Sequence, residues 1–146
     1  IADWLAIDMM DSKGTLHQIA VMHKDPKKIK WAKELRKNYP PDMNETRGLA
    51  YVLKTGKSEL YPHITEEIIE ATARDKNYVK LIKQIGLCSV MIVPLITHRK
   101  PVGAITFVSA ETKRKFTSKN SKGAKDHAKP LWQSRRNHGI QNQTLP

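Results

Sequence analysis

The sequence predicts an α+β fold built on an antiparallel β-sheet, and two observations carry this prediction. Two apolar runs, 87–96 and 102–109, are rich in Val, Ile, Thr and Phe and flank a polar connection at 97–101, a pattern typical of a β-hairpin. A second hairpin is predicted at the N-terminus, and helical segments lie between the two hairpins. This order of elements favours an antiparallel sheet with a helical insertion.

The hairpin at 87–109 is expected to form the middle of the sheet. Side chains alternate between the two faces of a strand, and both faces of this hairpin are apolar. A strand pair of this kind is typical of a sheet that is covered on both faces by helices. We therefore expect the side chains of Ile92, Val93, Ile105 and Phe107 to be almost fully buried.

The N-terminal hairpin is predicted from two strand-like runs, 2–10 and 16–23, on either side of a turn. The dipeptide Asp25-Pro26 that follows is a strong helix start, with Asp at the N-cap and Pro at the first helical position. Apolar residues then recur at helical spacing until Pro40-Pro41 stops the helix.

Three more helices are predicted before the hairpin at 87–109. Thr46 is expected to cap a helix that ends at Gly56, and Thr65 is expected to cap the next one. A third helical stripe ends at Gly86. The other predicted elements are a short edge strand at 58–61 and a last helix that opens at Thr117 or Ser118.

Length and composition indicate one domain with a basic C-terminal end. The chain has 146 residues, with 26 Lys and Arg against 14 Asp and Glu, for a net charge of +12. The excess is concentrated after residue 110, where nine basic residues stand against two acidic ones. Cys88 is the single cysteine, which excludes an internal disulfide and fits a reducing, cytoplasmic location. No apolar run approaches the length of a membrane span.

Several stretches, in order along the chain, resemble a GAF domain. They are ADWLAIDMMD, IAVMHKDP, the helix that ends in YPPD, GLAYVLKTGKSELYP, IGLCSVMIVPL and VGAITFVSAET. The resemblance covers residues 1–116, and is strongest to the GAF modules of bacterial sensor histidine kinases and phytochrome-like sensors. It implies a central antiparallel sheet of five or six strands with helices on both faces, and a ligand cavity on one side.

The resemblance also implies a function. GAF modules of this kind act as non-catalytic sensors that bind a small ligand and relay the signal to an attached output domain, such as a kinase, phosphatase or cyclase. Some also form homodimers. Members of the family bind cyclic nucleotides, bilins, haem, amino acids or no detectable ligand, and no residue set here matches one of these groups, so the cofactor stays unknown.

The chain is expected to divide into a GAF-like sensor domain, 1–129, and a basic, disordered tail, 130–146. The helix that usually precedes the first strand of a GAF domain is missing, so we expect a piece of a longer protein. The tail lacks the amphipathic helix that usually closes the domain. A change of reading frame is one hypothesis for this departure, and sequencing of the encoding DNA tests it.

A ligand cavity is expected beneath the helical block 25–85, because the apolar stripes of these helices must cover one face of the sheet. Strand alternation predicts Met91 and Val93 as its floor, and a register shift of one residue would place Val90 and Ile92 there instead. The candidate ligand-binding residues are Trp4, Tyr51, Tyr61, His63, Met91, Val93 and Phe107.

No catalytic or metal site is predicted. The six histidines share no metal-type spacing with one another or with Cys88, and Cys88 itself is interpreted as a small apolar filler of the core. The sequence contains no Gly-rich phosphate loop and no nucleophile elbow.

Two alternatives to a ligand sensor remain open. The chain could be a structural or dimerising module whose pocket is filled by its own side chains, among them Trp4, Tyr51, Met91 and Phe107. It could also bind nucleic acid through its basic tail, although that tail has no interleaved aromatic residues and no recognition motif.

Overall fold

The computed structural model describes residues 2–112 and 115–122, and within them the chain forms an antiparallel sheet of five strands and a block of four helices. The strands are β1 (Trp4–Met10), β2 (Leu16–Met22), β3 (Glu59–Tyr61), β4 (Ser89–Thr97) and β5 (Lys100–Ser109). The helices are α1 (Pro26–Asn38), α2 (Gly48–Thr55), α3 (Glu66–Ala71) and α4 (Lys76–Ile85). Residues 118–122 are also helical. This is the predicted α+β class with its antiparallel sheet.

The strands lie side by side in the order β2-β1-β5-β4-β3, and all four pairings are antiparallel. β5 therefore occupies the centre of the sheet with β4 beside it, which confirms the predicted position of the hairpin 87–109. β3 lies at one edge and β2 at the other.

The turn between β4 and β5 is tighter than the sequence predicted. We expected a connection of five residues at 97–101, but only His98 and Arg99 lie between the strands, and both have positive φ angles, 47° and 64°. Two consecutive left-handed residues are the signature of a turn whose twist matches the strands it joins. Pro101 consequently belongs to β5 rather than to the loop.

α1 and α3 begin at their predicted capping residues, whereas no capping residue was predicted for α4, which Asp75 caps. The side chain of Asp25 accepts a hydrogen bond from Lys27 N at the start of α1, and Thr65 caps α3 in the same way. α2 is the exception, because its N-cap is Arg47 rather than Thr46, and the Arg47 side chain makes no capping hydrogen bond within the described residues. Its C-terminal glycine, Gly56, is left-handed as predicted.

The two faces of the sheet are covered differently. The face that carries Val90, Ile92 and Ala104 packs against α1, α2 and α4 and is called the helical face below. On the opposite face, Met91 and Val93 pack against Phe116, which is almost fully buried. The helical residues 118–122 follow directly after Phe116.

Burial of the central hairpin is more uneven than the sequence predicted. Ile92 and Val93 are buried as expected, but Ile105 and Phe107 are only half-buried. Both half-buried residues lie on the opposite face, where Phe116 covers the β4 side of the sheet more completely than the β5 side. Alternation identifies the two faces of a strand, but it does not show how much of each face the rest of the chain covers.

Two further sequence predictions concern the ends of the chain and the membrane. The predicted boundary at residue 129 and the tail 130–146 lie outside the described residues. Within the described part of the chain, no helix is both long and apolar enough to span a membrane.

Candidate ligand cavity

A cavity of about 860 Å³ lies between the helical face of the sheet and the helices that cover it. This is the place where the sequence predicted a gap beneath the helical block. Its roof comes from α1, α3 and α4, and the loop 41–47 closes one side together with the start of α2. The residues that form its floor are Trp4, Ala6, Gln18, Val21, Tyr61, Val90, Ile92, Thr106 and Val108.

The strand register arranges this floor in rows. Trp4 pairs with Val108, Val108 with Val90, and Val90 with Tyr61, so one row of side chains crosses four strands. Three spacings between strands make this row roughly 14 Å long. The next row contains Ile92, which pairs with Thr106. The Thr106 hydroxyl is a polar group near the middle of a largely apolar platform.

Tyr61 forms the β3 end of this row and is part of a hydrogen-bonded cluster. Its hydroxyl donates to Glu59 Oε2 at 2.5 Å, and Gly48 N donates to the same oxygen at 2.6 Å. The Glu59 carboxylate therefore satisfies the first backbone N–H of α2 in place of an N-cap side chain. Burial raises the pKa of Tyr61 to about 12, and the hydrogen bond to Glu59 acts in the same direction. Tyr61 is thus a neutral hydroxyl at neutral pH.

Arg36 of α1 lines another part of the cavity and pairs with Asp8 of β1. Arg36 Nη2 donates to Asp8 Oδ2 at 3.0 Å, while Nη1 lies 2.8 Å from Oδ1 as an ion pair without hydrogen-bond alignment. The Asp8 side chain is 0% exposed. Burial raises the pKa of Asp8 above its ordinary value, and the Arg36 charge opposes that effect. The pair fixes α1 to the sheet beside the cavity.

The loop that closes the cavity is held by the segment between α3 and α4. Arg74 Nη1 donates to the carbonyl oxygen of Pro40 at 2.9 Å, and Nη2 donates to Glu45 Oε1 at 3.2 Å. Nearby, the Tyr39 hydroxyl donates to Asp75 Oδ1 at 2.5 Å. These contacts join the C-terminal end of α1, the loop and the start of α4 into one wall.

At the Trp4 end of the cavity, His23 is held as a neutral imidazole. Asp25 N donates to His23 Nδ1 at 2.8 Å, so Nε2 carries the proton and donates to Glu111 Oε1 at 3.0 Å. The imidazole lies against the indole of Trp4, with 4.4 Å between the ring centres. Burial, followed by the positive charge of Lys28, lowers the pKa of His23.

Solved structures show a similar fold. The GAF-B domain of DevS from Mycobacterium smegmatis matches with a TM-score of 0.57 at 12% identity, over 94% of this chain and 87% of that one. A domain assigned to a two-component sensor histidine kinase of Sinorhizobium meliloti matches with a TM-score of 0.57 at 13% identity, over 99% of this chain and 86% of that one. This chain has the GAF fold.

The GAF fold is shared by proteins of more than one activity. A type II free methionine-R-sulfoxide reductase from Thermoplasma acidophilum matches this chain with a TM-score of 0.53 at 13% identity, over 87% of this chain and 74% of that one. Neither a protein-family model nor a curated protein sequence matches the chain. The GAF fold alone therefore does not identify the function of this chain.

The GAF fold brings two of the predicted site residues to the cavity. Trp4 and Tyr61 line it, at opposite ends of one floor row. Tyr51 lies in α2 and packs into the cluster around Val52, and His63 is exposed beyond β3.

The other three candidates, Met91, Val93 and Phe107, lie on the opposite face of the sheet from this cavity, where they pack around Phe116. Val90 and Ile92 occupy the floor instead. The register alternative that the sequence left open is therefore the one that the structure adopts.

Sequence reasoning missed several polar residues that line or support the cavity. They are Asp8, Gln18, Arg36, Arg47, Glu59, Arg74 and Thr106. One signal was available, because Asp8 is an acidic residue inside an apolar strand, and a buried carboxylate needs a cationic partner. The identity of that partner, 28 residues away, was not readable from spacing.

Chemically, the cavity presents an apolar platform with hydroxyl and guanidinium groups at its margins. Within the described ranges, no group of three or more His, Cys, Asp or Glu side chains is placed to hold a metal ion. Cys88 is half-buried and lies immediately before β4. Such a surface is suited to binding a molecule that is largely apolar and carries a few polar groups.

Proposed function

We propose that this chain is a non-catalytic regulatory module that binds a small ligand in the cavity and relays the binding event to an attached output domain. The observation that carries the proposal is the cavity itself, which remains open after the large side chains around it have packed. A volume of about 860 Å³ is within the range of small-molecule sites.

The composition of the walls favours a flat ligand of mixed polarity. Val90, Ile92 and Val108 offer an apolar floor, and Thr106 offers a central hydroxyl. Arg47 lines the rim and makes no ion pair with a described residue. A ligand with a planar apolar body and one anionic or hydrogen-bonding end would use all three features.

Relay of the signal would pass through the helices that roof the cavity. α1 and α4 both contribute lining residues and contact each other. A ligand that binds better to one arrangement of these helices shifts the population toward that arrangement. The output domain would be a kinase, phosphatase or cyclase in a cytoplasmic signalling protein, with the module acting alone or as a homodimer.

Native mass spectrometry of the purified chain tests this proposal, with two variants that place the same bulky side chain on either face of β5. Thr106→Trp fills the cavity floor, whereas Ile105→Trp adds an indole to the opposite face. We expect a co-purified small molecule in the parent chain and in Ile105→Trp, and its loss in Thr106→Trp. If both folded variants retain the co-purified molecule, it binds at a site other than this cavity.

A structural, ligand-free module is the alternative that the same experiment addresses. In that case, no molecule co-purifies, and filling the cavity with Thr106→Trp raises the melting temperature because the new side chain gains contacts. A catalytic role is tested separately, since one structural neighbour is a free methionine-R-sulfoxide reductase. Reduction of free methionine-R-sulfoxide by the purified chain would contradict the non-catalytic proposal.

A further inference from the structure

A groove of about 650 Å³ adjoins the ligand cavity and lies between the edge strand β2 and the C-terminal half of α1. Its β2 wall consists of the six consecutive residues 16–21. Consecutive residues of a strand point to opposite faces of a sheet, so a wall made of all six must run along the open edge of the strand. Within the described residues, β2 pairs only with β1, so no described segment of the chain pairs with its outer edge. The unpaired backbone groups of an edge strand are a template for another strand.

The other wall of the groove is strongly basic. α1 carries six Lys and Arg residues against one Glu. Lys33, Arg36 and Lys37 line the groove, and the part of its lining that the structure describes contains no acidic side chain. Arg36 is paired with Asp8, whereas Lys33 and Lys37 are exposed and make no ion pair with a described residue. Two uncompensated positive charges thus face the open strand edge.

The spacing of these two lysines matches an extended chain. Residues four apart on a helix are separated by about 6 Å along its axis, and alternate residues of a strand are separated by about 6.7 Å. Two acidic side chains at alternate positions of a strand would therefore reach Lys33 and Lys37 together. Such a partner would also relieve the repulsion between two like charges at this helical spacing.

An exposed apolar residue completes the surface. Ile19 is 61% exposed and lines the groove, and it is the extra residue at the irregularity in the pairing of β1 with β2. A bulge turns a side chain out of the regular pleat. Ile19 thus offers an apolar contact to a β-branched or aliphatic residue between the two acidic ones.

We propose that the groove between β2 and α1 binds an extended acidic segment of a partner protein, in which acidic residues alternate with apolar ones, as an additional strand beside β2. Backbone hydrogen bonds to the strand edge would supply affinity, and Lys33 and Lys37 would select the acidic pattern. The groove shares Gln18, Val21, Arg36 and Pro41 with the ligand cavity. A partner bound in the groove would therefore contact Arg36, which also lines the ligand cavity.

The test measures the binding of fluorescein-labelled peptides to the full chain by fluorescence anisotropy. One peptide alternates Val and Glu, a second has the same composition with the Glu residues in one block, and a third alternates Val and Lys. We expect the alternating Val–Glu peptide to bind most tightly and the Val–Lys peptide not to bind. Equal affinity for the alternating and block peptides, or no binding of the Val–Glu peptide, would overturn the proposal.

A matched pair of variants locates the site. Lys33→Glu/Lys37→Glu reverses the two charges that line the groove, and Lys27→Glu/Lys30→Glu makes the same change in net charge on α1 outside it. The first variant should weaken binding of the alternating peptide by about tenfold or more, because two attractive contacts become repulsive. The second should have a smaller effect, since its lysines do not line the groove.

Two further measurements separate strand addition from general attraction to negative charge. Amide hydrogen exchange of residues 16–22 should slow when the Val–Glu peptide is bound, because pairing protects the strand edge. Equal weakening in both charge-reversal variants, together with competition by single-stranded DNA or by phosphatidylserine vesicles, would instead indicate an unspecific anion-binding surface. That result would overturn the peptide site.

Discussion

At the scale of single residues, His23 is the group that couples the fold to pH near neutrality. Its imidazole accepts from Asp25 N and donates to Glu111, and it is packed against Trp4. Burial is the main reason why its pKa is lowered, with Lys28 as the second. Since protonation of Nδ1 would break the hydrogen bond from the N-cap of α1, the folded state favours the neutral form.

We expect the free energy of unfolding to decrease as the pH falls below about 6.5. The unfolded chain holds a proton on His23 in a pH range where the folded chain does not, so protonation stabilises the unfolded state. Chemical denaturation at about pH 7.5 and about pH 5.5 measures this. The decrease should be smaller in His23→Gln and unchanged in His63→Gln, which alters an exposed histidine. An identical decrease in both variants would assign the effect to other groups.

The ion pair between Arg36 and Asp8 gives a second prediction at this scale. Arg36→Met should cost about 3 kcal/mol, because it leaves the buried Asp8 carboxylate without its cation. Lys37→Met removes an exposed charge from the same helix and should change stability by less than about 0.5 kcal/mol. Denaturant unfolding of both variants at neutral pH measures the difference.

The pH dependence of Arg36→Met provides a control on this explanation. Burial already raises the pKa of Asp8, and loss of Arg36 should raise that pKa further. A carboxyl group with a raised pKa stabilises the fold when it is protonated, and this stabilisation is lost as the pH rises through the raised pKa. Arg36→Met should therefore recover stability toward about pH 4. The additional change Asp8→Asn should remove that recovery, whereas a recovery that persists would exclude Asp8 as its source.

At the scale of elements, α2 depends on a partner from another element. The sequence predicted Thr46 as its cap, but the helix starts at Gly48, whose N–H is satisfied by Glu59 of β3. A residue eleven positions away performs this role because β3 returns alongside the start of α2. Local spacing rules describe caps that come from the same turn of chain, so they could not find it.

Glu59→Ala should destabilise the fold by about 1 to 2 kcal/mol, because Gly48 N and the Tyr61 hydroxyl both lose their acceptor. Thermal unfolding monitored by circular dichroism measures the loss. Glu70→Ala, at an exposed position of α3, is the matched control and should be nearly neutral. A Glu59→Ala variant as stable as this control would show that water replaces the carboxylate without cost.

At the scale of the whole molecule, Phe116 closes the core on the opposite face of the sheet. It packs against Met91 and Val93, and its N–H donates to Ser89 Oγ at 3.0 Å. The chain after β5 thus contributes to the fold at least as far as this residue.

Deletion of residues 130–146 should leave the melting temperature nearly unchanged, because that segment has no periodic apolar face to bury. Deletion of residues 115–146 should lower it strongly, since the loss of Phe116 exposes Met91 and Val93. Differential scanning calorimetry of the two truncated chains makes the comparison. A large decrease on the shorter deletion would show that residues 130–146 pack against the domain.

The sequence by itself determined the elements, their order and much of their capping. Asp25-Pro26 starts α1 and Gly86 ends α4 through contacts that lie within one helical turn of these residues. The apolar hairpin 87–109 carries its own strand signals. The position of β4 and β5 inside the sheet also followed from their two apolar faces, because a strand exposed to water on one face would show polar residues there.

Only the tertiary structure decided which face of the sheet the helices cover, and therefore which residues form the cavity. Alternation assigns Val90 and Ile92 to one face and Met91 and Val93 to the other, but both sets are equally apolar. The partners of Asp8 and of Gly48 were likewise unreadable, since each contact joins elements that meet only after the sheet has formed. Polar contacts of this kind depend on distances in space, which residue spacing along the chain does not contain.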